Sequence, residues 1–285
     1  MNRKRIETWM GAALGALCAL LLVGYAQASN YGKVSEEFHH TYPISANGRV
    51  ELDNINGDVR ITGWDRNEVK VDAVKYADNQ DELNDAQIEV NAGSDYVSIH
   101  THYRSHTHTF GGFHDSASVE YTLSVPRGAR LDEIKLVNGP LDVQEVTGEI
   151  HASCVNGRIK ADGLQGSSEI SSVNGRMDVS YGQLNGSRIE LSSVNGSLEL
   201  TLPSDAKADI EASTVSGGID NDFGLHASHH WVGHNLHGEL AGGGGAHIKL
   251  SNVNGRIDIR HASDGKPLST AKDSNRGDND DDDEI

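Results

Sequence analysis

The tripeptide Val-Asn-Gly recurs through this chain at a nearly constant spacing, and this period restricts the fold more than any other feature. Successive copies in the middle of the chain lie 18, 18 and 21 residues apart. Val215-Ser216-Gly217 is a near copy. The full copies begin at Val137, Val155, Val173, Val194 and Val253. A fixed short period of this kind is typical of supersecondary units that stack on one another.

Apolar and polar residues alternate after each of these glycines. Ile159 and Ala161, for example, are two positions apart, which is the period of a strand with one buried face. Weaker turns at Gly148 and Gly166 divide each unit in two, so two strands and two turns make one coil. Because a single coil cannot bury its own apolar face, its stability must come from its neighbours. The sequence therefore predicts an all-β fold, a repetitive β-solenoid (β-roll-like or β-helix-like) of 18–21-residue coils with Asn-Gly turns.

An antiparallel sandwich of hairpins would also show alternation with Asn-Gly turns, since both residues tolerate positive φ. Periodicity by itself does not determine strand direction. The constant coil length and the constant residue types at each offset favour stacking. In a stack, equivalent strands lie about 4.8 Å apart, and the asparagines of successive turns are expected to hydrogen-bond from coil to coil.

The start of the chain has the pattern of a secretory signal. A basic cluster at residues 3–5 precedes an apolar run over residues 10–23 and the small-residue motif Ala26-Gln27-Ala28. We predict that residues 1–28 are a signal peptide that is cleaved after Ala28. The alternative is an uncleaved anchor, but the apolar run is shorter than the roughly 20 residues of a crossing helix. The expected location is therefore periplasmic or secreted, with no stable membrane anchor after cleavage.

Composition predicts three regions after the signal. Residues 29–128 form an N-terminal β region with a His-rich hairpin, and residues 129–262 form the repeat solenoid with a His- and Gly-rich insertion at 221–246. Residues 263–285 end in an acidic run with no apolar pattern, which predicts a disordered tail. Loose condensation of calcium on that tail is the alternative. With 24 basic and 42 acidic residues, the chain repels nucleic acid, so no nucleic-acid partner is expected.

Several segments resemble a known family. They are Gly63–Val71 (GWDRNEVKV), Leu123–Ala129 (LSVPRGA), the serial Val-Asn-Gly units and the ending Ile248–Ile257 (IKLSNVNGRI). Together they resemble the bacterial putative-adhesin family of β-strand-repeat envelope proteins, domain of unknown function 4097, over about residues 48–260. The resemblance implies a repetitive all-β fold at the cell envelope, and it implies no catalytic residues.

Histidine is abundant, with 15 residues in the chain, and ten of them lie in two clusters, five within residues 100–114 and five within residues 226–237. A His-x-His pair on a strand places both imidazoles on one face about 7 Å apart, and imidazole suits Zn²⁺, Cu²⁺ or Ni²⁺. The candidate metal ligands are His100, His102, His106, His108, His226, His229, His230 and His234. The alternative is that both clusters are exposed polar loops next to glycines. The sequence favours this alternative, so no cofactor is expected.

Two observations argue against catalysis. Cys154 occupies the offset that Ser172 and Ser193 hold in other units, which predicts a small residue at a crowded corner rather than a nucleophile. Outward positions such as Lys160, Asp178 and Glu199 predict ladders of mixed charge. A polysaccharide hydrolase would instead need two carboxylates at a defined separation. We therefore expect no enzymatic activity.

The sequence thus predicts an exported, non-enzymatic β-repeat protein that acts as an adhesin or as a structural or interaction module of the bacterial cell envelope. Its expected partner is an envelope protein or glycan. The alternative function is a periplasmic protein that binds or buffers transition metals through its His-rich loops.

Overall fold

The computed structural model describes residues 34–103, 117–229 and 233–274, and most of these residues lie in strands of two large sheets. The first strands are β1 (Val34–Pro43), β2 (Arg49–Asn56), β3 (Val59–Trp64), β4 (Glu68–Ala77), β5 (Ala86–Ala92), β6 (Tyr96–Tyr103), β7 (Ser118–Pro126) and β8 (Arg130–Asn138). The repeat strands are β9 (Leu141–Gln144), β10 (Ile150–Asn156), β11 (Ile159–Leu164), β12 (Ser168–Asn174), β13 (Met177–Tyr181), β14 (Arg188–Asn195), β15 (Leu198–Leu202), β16 (Ala208–Ser216) and β17 (Ile219–Asn221). The last are β18 (Ser228–His229), β19 (His234–Leu240), β20 (Ala246–Asn254), β21 (Ile257–His261) and β22 (Ala271–Asp273).

Each coil contributes one strand to each sheet and pairs in parallel with the equivalent strands of its neighbours. β10 pairs with β12 and β12 with β14, while β11 pairs with β13 and β13 with β15, all in parallel. In this register Asn156 lies beside Asn174, and Ile159 beside Met177. The predicted β-solenoid is therefore confirmed, and the antiparallel sandwich is excluded for the repeats.

The coils do not stack in the order in which the chain builds them. The coil β20–β21 lies between β14–β15 and β16–β17, and the coil β2–β3 lies between β6–β7 and β8–β9. At the C-terminal end the chain builds the end coil β16–β17 first and then returns to fill the position inside it, whereas at the N-terminal end it builds the inner coil β2–β3 first and then the end coil β6–β7. Both sheets run without a break from the N-terminal region into the repeats, because β2 and β3 pair directly with β8 and β9.

Antiparallel strands cover both ends of the stack. At one end β5 pairs with β6, β4 with β7, and β1 with β4. At the other end β19 pairs with β16, and β18 and β22 both pair with β19. Terminal coils of a repeat protein need such covering, since their apolar faces otherwise meet water. The insertion at 221–246 supplies part of this cap.

The prediction of a disordered tail is wrong for residues 263–274. Residues 271–273 form β22 against β19, and the Lys266 ammonium lies 2.9 Å from a carboxylate oxygen of Asp205. The amide of Ser269 donates to the carbonyl of Ser204 at 2.8 Å. The segment is held by backbone groups at the edge of β19, which an apolar pattern does not reveal. The acidic run at 280–284 lies outside the described residues.

The core lies between the two sheets. Its side chains are the alternate residues of each strand, for example Leu52, Ile61, Leu131 and Ile159, all at most 1% exposed. Each Leu or Ile buried in this way contributes about 1.5–3 kcal/mol. The segment between β4 and β5 contains helix α1 (Gln80–Asp85).

Within the described part of the chain, no helix combines the length and the apolar character that a membrane crossing requires.

Candidate interaction surface

The Val-Asn-Gly corners lie one above another along one edge of the stack, and their asparagines form a continuous ladder. The side-chain Nδ2 of each asparagine donates to the Oδ1 of the asparagine in the adjacent coil, at 2.8–3.0 Å. In order along the stack the ladder contains Asn56, Asn138, Asn156, Asn174, Asn195 and Asn254. The predicted hydrogen bonding from coil to coil is therefore confirmed.

The corner glycines are required by the close approach of the next coil. Gly175 has φ = +145°, and a Cβ added there would lie 2.0 Å from the carbonyl oxygen of Gly157. The asparagines tolerate positive φ, but they do not adopt it here. Among the described residues other than glycine, only Glu145 and Ala241 have positive φ. The asparagine is therefore selected for its amide and the glycine for its missing side chain.

The first residue of most corner motifs points into solvent, although it is apolar; Val137 is the exception and is only partly exposed. The other side chains are 38–54% exposed. They are Ile55, Val155, Val173, Val194, Val215 and Val253. Since equivalent residues of stacked strands lie about 4.8 Å apart, they form an apolar row along the corner edge. The signal was present in the sequence, because these valines follow directly after an inward position such as Cys154.

A row of serines runs beside the valines on the outer face of the second sheet. These serines lie two residues before the valines and are in register with one another. We call this surface the Val/Ser face, and it consists of Val155, Val173, Val194, Val253 and Val215 with Ser153, Ser171, Ser192, Ser251 and Ser213. The Val/Ser face itself carries no charged residue across five adjacent coils, in a chain with a net charge of −18. The next outward position along the same strands is polar or charged, and holds His151, Glu169, Glu190, Lys249 and Glu211.

The outer face of the first sheet is charged instead. Asp178, Glu199 and Asp258 are neighbours in the parallel register. The Arg176 guanidinium contacts both Asp178 and Glu199, and Arg260 donates to Asp258 at 2.9 Å. The predicted ladder of mixed charge is thus present, and these carboxylates face arginines rather than each other.

Comparison with known protein families finds a match in the repeat region. Residues 152–260 match the model of the family described as Toastrack DUF4097. Over these residues the chain is similar to that family. No curated protein is significantly similar to this chain.

Solved structures similar to this chain include two bacterial proteins. A "putative cell adhesion protein" from Clostridium sporogenes is 11% identical, with 81% of this chain and 100% of that chain covered and a TM-score of 0.49. A "putative adhesin" from Bacteroides fragilis is 11% identical, with 80% of this chain and 97% of that chain covered and a TM-score of 0.31.

The motifs at Gly63–Val71 and Leu123–Ala129, which lie outside the matched region, contact each other beside the repeats. Trp64 Nε1 donates to the carbonyl of Glu68 at 2.8 Å, and the Arg66 guanidinium lies 5.0 Å from the Trp64 ring centroid. The Arg127 amide donates to the carbonyl of Trp64 at 3.0 Å, and its side chain donates to Asp65 at 2.8 Å. These contacts join the turns that follow β3 and β7, so the role of both motifs is structural.

Of the eight predicted metal ligands, five lie in described residues. On β6 the rings of His100 and His102 are 6.0 Å apart, and His102 Nε2 is 3.1 Å from Glu89. His226 Nδ1 lies 2.8 Å from Asp273. The remaining predicted ligands, His106, His108 and His230, lie outside the described residues.

Among the described candidate ligands, the closest pair lies on the cap beyond the repeat coils. His229 and His234 face each other across β18 and β19, with His229 Nδ1 3.2 Å from His234 Nε2. His100 and His102 are on β6, near the opposite end of the second sheet, so the fold does not bring them close to this pair. In the segments that the structure describes, no group of three or more His, Cys, Asp or Glu residues is placed to hold a metal ion.

Cys154 is an interior packing residue. It is 1% exposed, and its Sγ lies 3.5 Å from the carbonyl oxygen of Gly139. Burial raises the pKa of the Cys154 thiol, which disfavours the thiolate that a nucleophile requires. Ser172 lies beside it in the register and is also buried, as expected for a small residue at a crowded corner.

Proposed function

We propose that this protein is an exported, non-enzymatic interaction module of the bacterial cell envelope, adhesin-like in its role, and that it binds through the Val/Ser face. The observation that carries the proposal is an uncharged strip of exposed valines and serines on a strongly acidic chain. The Toastrack match over residues 152–260 supports a role in presenting a repetitive β surface. The partner is a protein or glycan of the envelope.

The Val/Ser face suits a partner that is itself extended. It offers apolar contact, hydroxyls and the adjacent asparagine amides at steps of about 4.8 Å. Valine is restricted at χ1, so its side chain loses little freedom on binding. A polymer that contacts several coils at once gains affinity because each further contact is intramolecular.

The test places charge on this face. In the variant Val173→Lys with Val194→Lys, two exposed valines of adjacent coils become cationic. The matched control is Thr62→Lys with Gln144→Lys, which makes the same change on adjacent coils in the first sheet. Photocrosslinking in living cells, followed by identification of the captured protein or glycan, measures binding.

We expect the valine variant to lose the captured partner and the control to keep it, with both retaining the circular dichroism spectrum of the parent. Equal capture by the parent and both variants would show that the Val/Ser face is not the binding surface.

The proposal also includes export to the periplasm or the medium after cleavage behind Ala28. N-terminal sequencing of the protein recovered from the periplasm and from the medium is expected to begin at Ser29. A mature chain that retains residues 1–28 in the membrane fraction would contradict it.

A second candidate function is the binding of Zn²⁺, Cu²⁺ or Ni²⁺, and the His229–His234 pair favours it. Two nitrogens bound to one tetrahedral zinc at 2.0–2.1 Å are about 3.3 Å apart, close to the 3.2 Å found here. Zinc titration by calorimetry tests it. Tight binding by the parent should be lost in His229→Ala with His234→Ala and kept in His100→Ala with His102→Ala. Equal affinity in all three proteins would reject this site.

A further inference from the structure

Strand β1 presents an open edge. It is ten residues long and lies at the end of the first sheet, where it pairs with β4 on one side and with no described strand on the other. The opposite end strand of that sheet, β17, has three residues. An unpaired edge of this length is a template for another strand, and proteins protect such edges with charged side chains, above all lysine, and with prolines. β1 contains no lysine, Pro43 is its last residue, and its charged residues are Glu36 and Glu37.

The sequence of β1 is complementary to itself in one antiparallel register. If Phe38 lies opposite Phe38 of a second copy, each acidic residue of β1 lies opposite a histidine. The pairs in this register are Glu37 with His39, Glu36 with His40, Ser35 with Thr41 and Val34 with Tyr42. Opposite charges and aromatic pairs directly across two strands stabilise a sheet.

Neighbouring registers lose this match. When His39 lies opposite His39, Glu37 faces Thr41 and Phe38 faces His40, so no acidic residue faces a histidine. When Glu37 lies opposite Glu37, like charges oppose each other, which destabilises the pairing. The order of residues in β1 therefore favours one pairing register over its neighbours.

We propose that two copies of this chain pair edge to edge through β1, antiparallel, with Phe38 on the twofold axis. The interface is isologous, as in most homodimers. It joins the two ten-stranded sheets into one. On the inner face, where Val34, Phe38 and Tyr42 are already half-buried against the core, the second copy covers their remaining exposed surface.

The charged residues of β1 also make contacts within one chain. His39 Nδ1 lies 2.8 Å from Asp72 on β4, and Glu36 lies 2.9 Å from the Lys75 ammonium, so both contacts reach toward β4. His39 Nε2 lies 3.2 Å from Glu37 of the same chain, and in the dimer this contact is exchanged for the equivalent contact with the partner's Glu37. The His40 ring packs 4.5 Å from the Phe38 ring centroid, on the same face as Glu36, where the partner's Glu36 would meet it.

Cysteine pairing tests the register. Both native thiols are first removed with Cys18→Ser and Cys154→Ser. Ser35→Cys and Thr41→Cys are then introduced in separate full-length chains. Residues directly opposite across two strands have Cβ atoms about 4.5–5.5 Å apart, which is near the Cβ separation of a disulfide after small adjustment.

On mild oxidation, a mixture of the Ser35→Cys and Thr41→Cys chains is expected to form a disulfide-linked heterodimer, and neither chain should crosslink by itself. A mixture of Ser35→Cys with His39→Cys is the off-register control, since those positions are two residues from alignment. Absence of the heterodimer, or equal crosslinking in the control mixture, would overturn the proposal.

Sedimentation equilibrium provides a measurement that needs no crosslink. His40→Glu places a carboxylate opposite Glu36 at two symmetric positions, and we expect the dimer dissociation constant to rise by about tenfold. His151→Glu makes the same change on the central strand β10 and should leave the constant unchanged. A parent protein that is monomeric at millimolar concentration would refute the interface, whatever the Val/Ser face binds.

Discussion

At the scale of single residues, each position of the Val-Asn-Gly motif has a separate physical task. The valine is exposed, the asparagine joins neighbouring coils through its amide, and the glycine leaves room for the adjacent backbone. The residue before the motif, such as Cys154 or Ser172, fills the interior of the corner. The motif is therefore a unit of stacking, and the part of it available to a partner is its first residue.

The asparagine ladder predicts a stability effect that depends on position. Asn174 donates to Asn156 and accepts from Asn195, at 2.9 and 3.0 Å. Because each hydrogen bond contributes about 0.5–1.5 kcal/mol, Asn174→Ala is expected to lower the free energy of unfolding by about 1–3 kcal/mol. Asn254→Ala loses one amide–amide bond in the ladder and should cost about half as much. Urea unfolding measures both, and an equal loss would argue against a continuous ladder.

The corner glycine predicts a larger effect for a steric reason. Gly175→Asn introduces a Cβ 2.0 Å from the carbonyl oxygen of Gly157, and we expect a loss of about 3 kcal/mol or more. Gly186 has φ = +70° and nothing within 4 Å of its added Cβ. Asparagine tolerates that conformation, so Gly186→Asn should cost less than about 1 kcal/mol. Thermal unfolding of both variants checks this, and similar losses would contradict the crowding argument.

At the scale of elements, strands serve either as coil halves or as caps, and the caps are held partly by charge. β1 joins the first sheet only through β4, where His39 contacts Asp72 and Lys70 contacts Asp72 at 2.6 Å. The hydrogen bond to Asp72, followed by that to Glu37, raises the pKa of His39. Desolvation opposes ionisation of Asp72, but hydrogen bonds from Lys70 and His39 keep its pKa below the usual value.

These shifts predict how pH affects the attachment of β1. A raised His39 pKa means that its contribution is complete below about pH 6.5, the unfolded pKa of histidine. The contribution is lost as pH rises through the raised folded pKa. His39→Gln should therefore lower the stability of the β1 amides at pH 5.5 and have little effect at pH 8.5. Hydrogen exchange of β1 amides measures this, and an effect that is larger at pH 8.5 would reverse the assigned sign.

At the scale of the whole molecule, nearest-neighbour stacking makes stability local. The cap at the β16 end includes β22, whose residues pair with β19, and the Lys266–Asp205 contact. Removing residues 263–285 deletes both of these contacts. Local stability is then expected to fall at that end while the central coils keep theirs.

Hydrogen exchange on the truncated chain tests this gradient. Amides of β16 and β19 should exchange faster than in the full chain, and amides of β10 and β12 should be unchanged. Uniform acceleration throughout both sheets would show that the stack unfolds as one cooperative unit, and an unchanged β19 would show that residues 263–274 add nothing to the cap.

Sequence period and alternation were sufficient to predict the coils, their length and the stacking of their corners. These are properties of a few neighbouring residues: alternation assigns Ile159 to the core, and glycine at 175 marks a position where the backbone turns against another coil. The same local information predicted Cys154 as a packing residue. It also predicted the ladder of mixed charge, in which Arg176 contacts Asp178 and Glu199.

Only the tertiary structure decided the order of the coils, the antiparallel caps, the attachment of residues 263–274 and the separation of His100 and His102 from His229 and His234. Coil β20–β21 carries the same motif as its neighbours, so its own residues do not predict that it lies between β14–β15 and β16–β17. The position of this coil depends on which sheet edge β20 pairs with after the chain returns through β19. That pairing is a contact between residues distant in sequence. Local pattern determines what each strand buries, and the competition among distant edges determines which strand lies beside it.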